Sequence, residues 1–330
     1  VSEKSWLRGT NVALLNLHQD ANQAVAVFLY QQLVIKIFID MRNVEQVFAP
    51  GVPHFVGDGF RVHSFIPNGI PNFQKRMDPF ILMDYNAKHT FPPSDTLRGV
   101  GAHPHAGFET VTIAYKGAVA HHDSGGNSGV IREGGVQWMT AGRGILHKEY
   151  HEEQFSKTGG EFQMVQLWVN LPERFKNVAP KYQGLDRSAI SEYTLDEGNG
   201  VIEVIAGAYN GTPGAAHTFT PIHLMNARLK KGAKVDFSFP NHFNTALLVV
   251  EGKISVNGSE SVDTDHFVLF KNDGEEFSVE AEENALVLVM SGEPFFEPIV
   301  QHGPFVMNSQ AEIHAVIRDF NLGKFGYLEN

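Results

Sequence analysis

His103-Pro104-His105 places two imidazoles two residues apart. In an extended strand alternate side chains leave on the same side, about 7 Å apart along the chain, so the pair can chelate a metal ion. Gly144-Ile145-Leu146-His147-Lys148-Glu149 supplies a second pair with the same one-residue gap, His147 and Glu149. Neither motif decides the matter alone, but two of them on strands flanking a hairpin favour a metal site. Together they offer three imidazoles and one carboxylate, a donor set for one mononuclear divalent ion: Fe, Mn, Ni, Cu, Co or Zn. Glu109 competes for the carboxylate position, because it follows His105 by four residues and shares its face if the strand runs unbroken. Its alternative role is to orient a ligand imidazole by hydrogen bonding. The chain has no cysteine, which removes thiolate ligands, disulfides, thiol nucleophiles and iron–sulfur clusters at once.

Such pairs need strands to carry them, and the chain reads as all-β. Short β-type runs, among them residues 110–115 (TVTIAY), 130–139 (VIREGGVQWM) and 162–171 (FQMVQLWVNL), are broken by Gly, Asn, Asp and Pro. That pattern predicts a sandwich or barrel. The stretch Asp123-Ser124-Gly125-Gly126-Asn127 reads as a hairpin turn rather than a phosphate cradle. A weak internal repeat aligns residues 112–126 with 247–258, matching Gly117 to Gly252, and residues 136–142 with 267–274. It predicts two similar antiparallel barrels: residues 41–175 with the metal, and residues 176–330 ending in a short helix near 312–323. Carried across the repeat, His103, His105, His147 and Glu149 fall on Ser238, Pro240, Val279 and Ala281, so the second barrel is expected to be metal-free. His242 nearby reads as structural, and residues 171–186 as a connector.

A chain of 330 residues, 42% hydrophobic and 19% charged, can bury two cores. Its net charge of -11 argues against a footprint on nucleic acid or an anionic membrane and favours small molecules or protein partners. Residues 1–40 read as an N-terminal extension, either not native or an added helix docked by its apolar face. They are too interrupted by polar residues to span a bilayer and lack the pattern of a secretory signal, so the expected location is cytoplasmic and the expected state a monomer.

The segments HPHAGFETVT (103–112), VQWMTAGRGILHKE (136–149), QLWVNLP (166–172) and GPFVMN (303–308) resemble the pirins, members of the cupin superfamily, over about residues 44–325. The resemblance implies a bicupin of jelly-roll type with one metal, usually iron, in the N-terminal barrel. Residue by residue, the family's ligands fall on His103, His105, His147 and Glu149, which selects Glu149 over Glu109. Ala106 departs from the family's usual Arg. The resemblance further implies quercetin 2,3-dioxygenase chemistry on a flavonol-like aromatic substrate and O2, with Glu149 as base. A different class of function also attaches to the family: an iron-binding, redox-responsive regulator acting through protein contacts. Gln137, Trp138, Met139, Phe162, Met164 and Trp168 could line an aromatic pocket, but apolar strand faces of this kind read first as core.

Overall fold

The computed structural model describes residues 41–329, so the reading of residues 1–40 lies outside the described residues. In the first half the chain runs through β1 (Val44–Phe48), β2 (His54–Val56), β3 (Phe60–Ile66), the short helix α1 (Phe73–Met77), β4 (Phe80–Phe91), β5 (Gly99–His105), β6 (Phe108–Lys116), β7 (Ala118–Asp123), β8 (Ser128–Arg132), β9 (Val136–Thr140), β10 (Ile145–His151), α2 (Glu153–Thr158), β11 (Gly160–Asn170) and β12 (Lys181–Leu185). The second half comprises β13 (Ser191–Thr194), β14 (Gly200–Ala206), the ribbon β15 (Ala208–Tyr209) and β16 (Thr212–Pro213), β17 (Ile222–Leu229), β18 (Lys234–Ser238), β19 (Asn244–Glu251), β20 (Ile254–Val256), β21 (Glu260–Val262), β22 (Phe267–Phe270), β23 (Glu276–Ala281) and β24 (Ala285–Gly292). A hairpin of β25 (Val300–His302) and β26 (Phe305–Met307) leads into α3 (Gln310–Asn321). Ser309 caps α3 by accepting from the Glu312 amide, and Glu312 reaches back to the Asn308 amide.

Each half is a jelly roll of one seven-stranded and one four-stranded antiparallel sheet. The order is β12-β9-β6-β11-β4-β3-β2 over β5-β10-β7-β8 in the first, and β1-β22-β19-β24-β17-β14-β13 over β18-β23-β20-β21 in the second. The sheets face one another as sandwiches rather than closing completely, and the second seven-stranded sheet ends on a strand drawn from the first half of the chain. β1 pairs with β22, and β12, inside the expected connector, pairs with β9. The repeat seen in sequence is real in three dimensions: Gly117 and Gly252, both at left-handed φ (79° and 78°), turn β6 into β7 and β19 into β20.

The large sheets pack back to back. Val111, Ile113, Val136, Trp138, Val165 and Leu167 from the first half form one buried cluster with Leu224, Leu248, Phe267, Leu288 and Met290 from the second. Strands β6 and β11 are therefore covered on both faces, which explains why their polar residues are buried nearly as fully as their apolar ones. Their alternate residues, Thr110, Thr112, Met164, Gln166 and Trp168, turn inward to the first jelly roll. The interior of the second is filled by Phe237, Phe239, Phe270 and Phe277, with neighbouring ring centroids 4.4–6.3 Å apart. Among the described residues no helix is long and apolar enough to cross a membrane.

Candidate metal centre

The two motif pairs meet because β5 and β10 are antiparallel neighbours with His147 directly opposite His103. A register shift after His147 sets Glu149 against Val100. The centroids of His103, His105 and His147 are 4.3–4.8 Å apart, and one donor nitrogen from each lies within 4.8 Å of the others. Glu149 and His147 form a second such group with His121, a residue of β7 that the motif search passed over.

Hydrogen bonding separates His121 from the other three. Its Nε2 lies 3.2 Å from Asp123 Oδ2 and its Nδ1 accepts from Gln137 Nε2 at 3.3 Å, while the ring stacks on Tyr182. His147 is fully buried, and neither ring nitrogen has a partner among the described residues; Nδ1 of buried His105 is also unpaired. Unpaired buried polar atoms cost roughly 1–3 kcal/mol each, so this set fits a metal ion that would accept a lone pair. Burial, reinforced by the neighbouring imidazoles, pushes His105 and His147 well below the ordinary imidazole value, which holds them in the neutral, metal-binding form. His121 instead anchors Gln137, a role that no motif marks, since His121-His122 is an unremarkable pair in an alternating strand.

Glu149 is held as tightly as a ligand requires. Its Oε1 accepts from Gln137 Nε2 and Thr112 Oγ1, both at 2.9 Å, and its Oε2 from Gln166 Nε2 at 2.9 Å. Such partners fix a coordinating group's orientation.

Glu109 does not join the cluster. The strand is broken at Gly107, whose φ of 88° suits glycine, and the face alternation restarts in β6. Glu109 therefore points with Val111 and Ile113 to the other side of the sheet, where it accepts from Thr140 Oγ1 at 2.7 Å. Burial raises its carboxyl from 4.5 to about 7. Between those values the folded state holds more protons than the unfolded chain, so this group's contribution to stability is complete below about 4.5 and is lost as pH rises through about 7. Glu109→Gln is expected to stabilise the protein by about 2 kcal/mol at pH 8, the gain shrinking towards pH 5. Urea unfolding at the two pH values measures this, and an equal effect at both would contradict it.

A cavity of 250 Å³ opens beside His103, His105 and Glu149. Its walls include Phe60, Val62, Leu82, Met164 and Trp168, with Pro304 contributed by the β25–β26 turn. Trp168 stacks on Phe108 at 4.2 Å and meets His105 edge-on at 5.1 Å. Of the aromatic-wall candidates, Met164 and Trp168 line the cavity, Gln137 binds Glu149, and Trp138, Met139 and Phe162 are core. The C-terminal hairpin is stitched to the loop that follows His105. Ala106 exchanges backbone hydrogen bonds with Pro304 and Val306, and the buried Lys176 ammonium donates to Gly107 O, Asn170 Oδ1 and Val306 O at 2.8–3.0 Å. Ala106 is fully buried in the cluster of Phe305, Met307 and Phe325, where a longer side chain would displace those rings. Lys176→Met keeps the bulk but leaves three acceptors unpaired. It is expected to cost about 2–3 kcal/mol in thermal unfolding, and a loss below half of that would count against the tether.

The model described as "Pirin" matches residues 59–169, and "Pirin C-terminal cupin domain" matches residues 224–326. A Pseudomonas aeruginosa protein named "Putative quercetin 2,3-dioxygenase" is 44% identical over 285 residues, covering 86% of this chain and 99% of that protein. Pirin-like protein 2 of Arabidopsis thaliana is 37% identical over 299 residues, 88% of this chain and 87% of its own length. The crystal structure of a quercetin 2,3-dioxygenase from Acinetobacter baumannii superposes with a TM-score of 0.82 at 44% identity, covering 88% of this chain and all (100%) of that one. With both jelly rolls matched and nearly the full length of these relatives spanned, the chain belongs to the pirin family.

Proposed function

We propose that the protein is a metal-dependent dioxygenase of the quercetin 2,3-dioxygenase type, using O2 to open the central ring of a flavonol-like substrate with release of carbon monoxide. The observation that carries this reading is the convergence of three imidazoles, two of them with unpaired buried nitrogens, and a fixed carboxylate at one end of an apolar cavity. His103, His105, His147 and Glu149 would hold the ion, iron being the first choice. When bound, the ion supplies Lewis acidity towards the substrate's hydroxyl oxygen and a site at which O2 can react.

The protein groups do the remaining work. Glu149, beside that oxygen, accepts the hydroxyl proton, and its three hydrogen-bond donors keep the carboxylate in place while it does so. Trp168, Phe60 and Met164 offer flat and deformable apolar surface to an aromatic ring and exclude water from the reacting carbon atoms. Names borne by the Pseudomonas and Acinetobacter relatives support the same chemistry. The test is to incubate iron-loaded protein with quercetin under O2 and follow loss of flavonol absorbance together with carbon monoxide. Turnover no faster than that of free metal would sink the reading.

A further inference from the structure

Five polar side chains form a row straight across the large sheet of the first jelly roll, one from each of five adjacent strands. Gln137 on β9, Thr112 on β6, Gln166 on β11, Asp84 on β4 and Ser64 on β3 are direct cross-strand partners in that order. Directly paired residues project from the same face of a sheet, so all five turn inward. The first three converge on Glu149. The last two do not: the Ser64 hydroxyl donates to Asp84 Oδ1, and Asp84 Oδ2 has no hydrogen-bond partner among the described residues.

Asp84 lines the same cavity as His103, His105 and Glu149, one strand further along the wall than Gln166, among Leu82, Met164 and Trp168. Desolvation raises its carboxyl, a trend partly offset by Ser64 and His54. Asp84 is half-buried, so water can meet this oxygen, and a ligand ring that displaces the water must bring a donor of its own. Ser64 fixes which oxygen stays open. We propose that Asp84 is the acceptor that recognises a ring hydroxyl of the substrate, so that the cavity selects polyhydroxylated aromatics by gripping a second oxygen remote from the metal. This deepens the aromatic-substrate reading and rests on it.

The test is anaerobic titration of metal-loaded protein, by tryptophan fluorescence quenching, with quercetin and with flavonols in which single ring hydroxyls are replaced by hydrogen or methoxy. The wild type is expected to bind quercetin roughly 10- to 100-fold more tightly than one of the hydrogen analogues. Asp84→Ala should bring that ratio close to one with metal content unchanged. Asp84→Asn, which keeps an acceptor for Ser64 and turns an amide donor to the cavity, should shift preference towards the methoxy analogue. Ser64→Ala should retain the wild-type preference. A wild-type ratio in Asp84→Ala, or a wild type indifferent to every hydroxyl, would overturn the proposal; if Asp84→Ala fails to fold, an unshifted Asp84→Asn does so. Because O2 is absent, a protein that binds with this preference yet never turns quercetin over defeats the dioxygenase reading and leaves Asp84's role standing.

Discussion

His147→Ala is expected to reduce metal affinity by about 100-fold or more while leaving the jelly rolls folded. Replacing groups that merely orient a ligand costs about 10–100-fold, and His147 stands at the centre of the site. It is opposite His103 in the strand pairing, 4.6 Å from His105 ring to ring, and common to both groups of converging donors. The apo protein should tolerate the change, because the deleted ring makes no hydrogen bond among the described residues. Two measurements follow. Metal content after dialysis against a weak chelator should fall from one equivalent to near zero. Added metal at 100 times the wild-type Kd should stabilise the wild type by about 2.7 kcal/mol and the variant hardly at all. Undiminished metal in the variant would refute the assignment of the ligands. His121→Ala, by contrast, should retain metal and loosen Gln137, since its ring nitrogens are already engaged.

Arg42→Ala is expected to cost about 3–5 kcal/mol of stability, because it strips four acceptors of one charged donor, and hydrogen bonds to a charged group contribute roughly 1.5–3 kcal/mol each. The side chain is fully buried. Its Nη1 donates to Phe243 O at 2.7 Å and Thr245 Oγ1 at 2.8 Å, and its Nη2 to Pro240 O at 2.7 Å and Phe239 O at 3.3 Å. Desolvation lowers the guanidinium to about 10 even with Asp273 and Glu275 nearby, so it remains charged at neutral pH. The repeat gives its position meaning. Phe243 and Thr245 correspond to Phe108 and Thr110, and Ser291, opposite Thr245, corresponds to Trp168, opposite Thr110. Arg42 thus plugs the second jelly roll where the first keeps the wall of its cavity. Urea unfolding of Arg42→Ala and Arg42→Met should both show the loss, because methionine restores bulk but not donors; a change below 1 kcal/mol in each would contradict the plug.

Much of the site was legible because it lies in local strand pairs. The one-residue gaps in His103-Pro104-His105 and His147-Lys148-Glu149 fix a common face before any partner strand is known, and the matched glycines announced the duplicated roll. Glu109 was ambiguous for a local reason as well: one glycine, Gly107, decides whether the alternation carries through from His105. What escaped were features set by register between distant strands. Nothing in the one-dimensional chain aligns Ser64, Asp84, Thr112, Gln137 and Gln166, since each belongs to a different strand and only the ladder brings them level. Pro304 and Lys176 reach the site from later segments, and Arg42 acts on a module whose other strands begin some 150 residues downstream.

Strand β1 leads into the first roll yet borders the large sheet of the second, and β12, which lies past residue 175, borders that of the first. A cut near residue 175 would not yield two working pieces. Each would lack a border strand and bare a ladder of unpaired amides, with the apolar back of its large sheet newly wetted, the template on which chains aggregate. The chain carries two rolls, but the β1 crossover and the shared apolar backs mean that the roll with the metal site cannot be cut free of its companion without baring an edge or a core face.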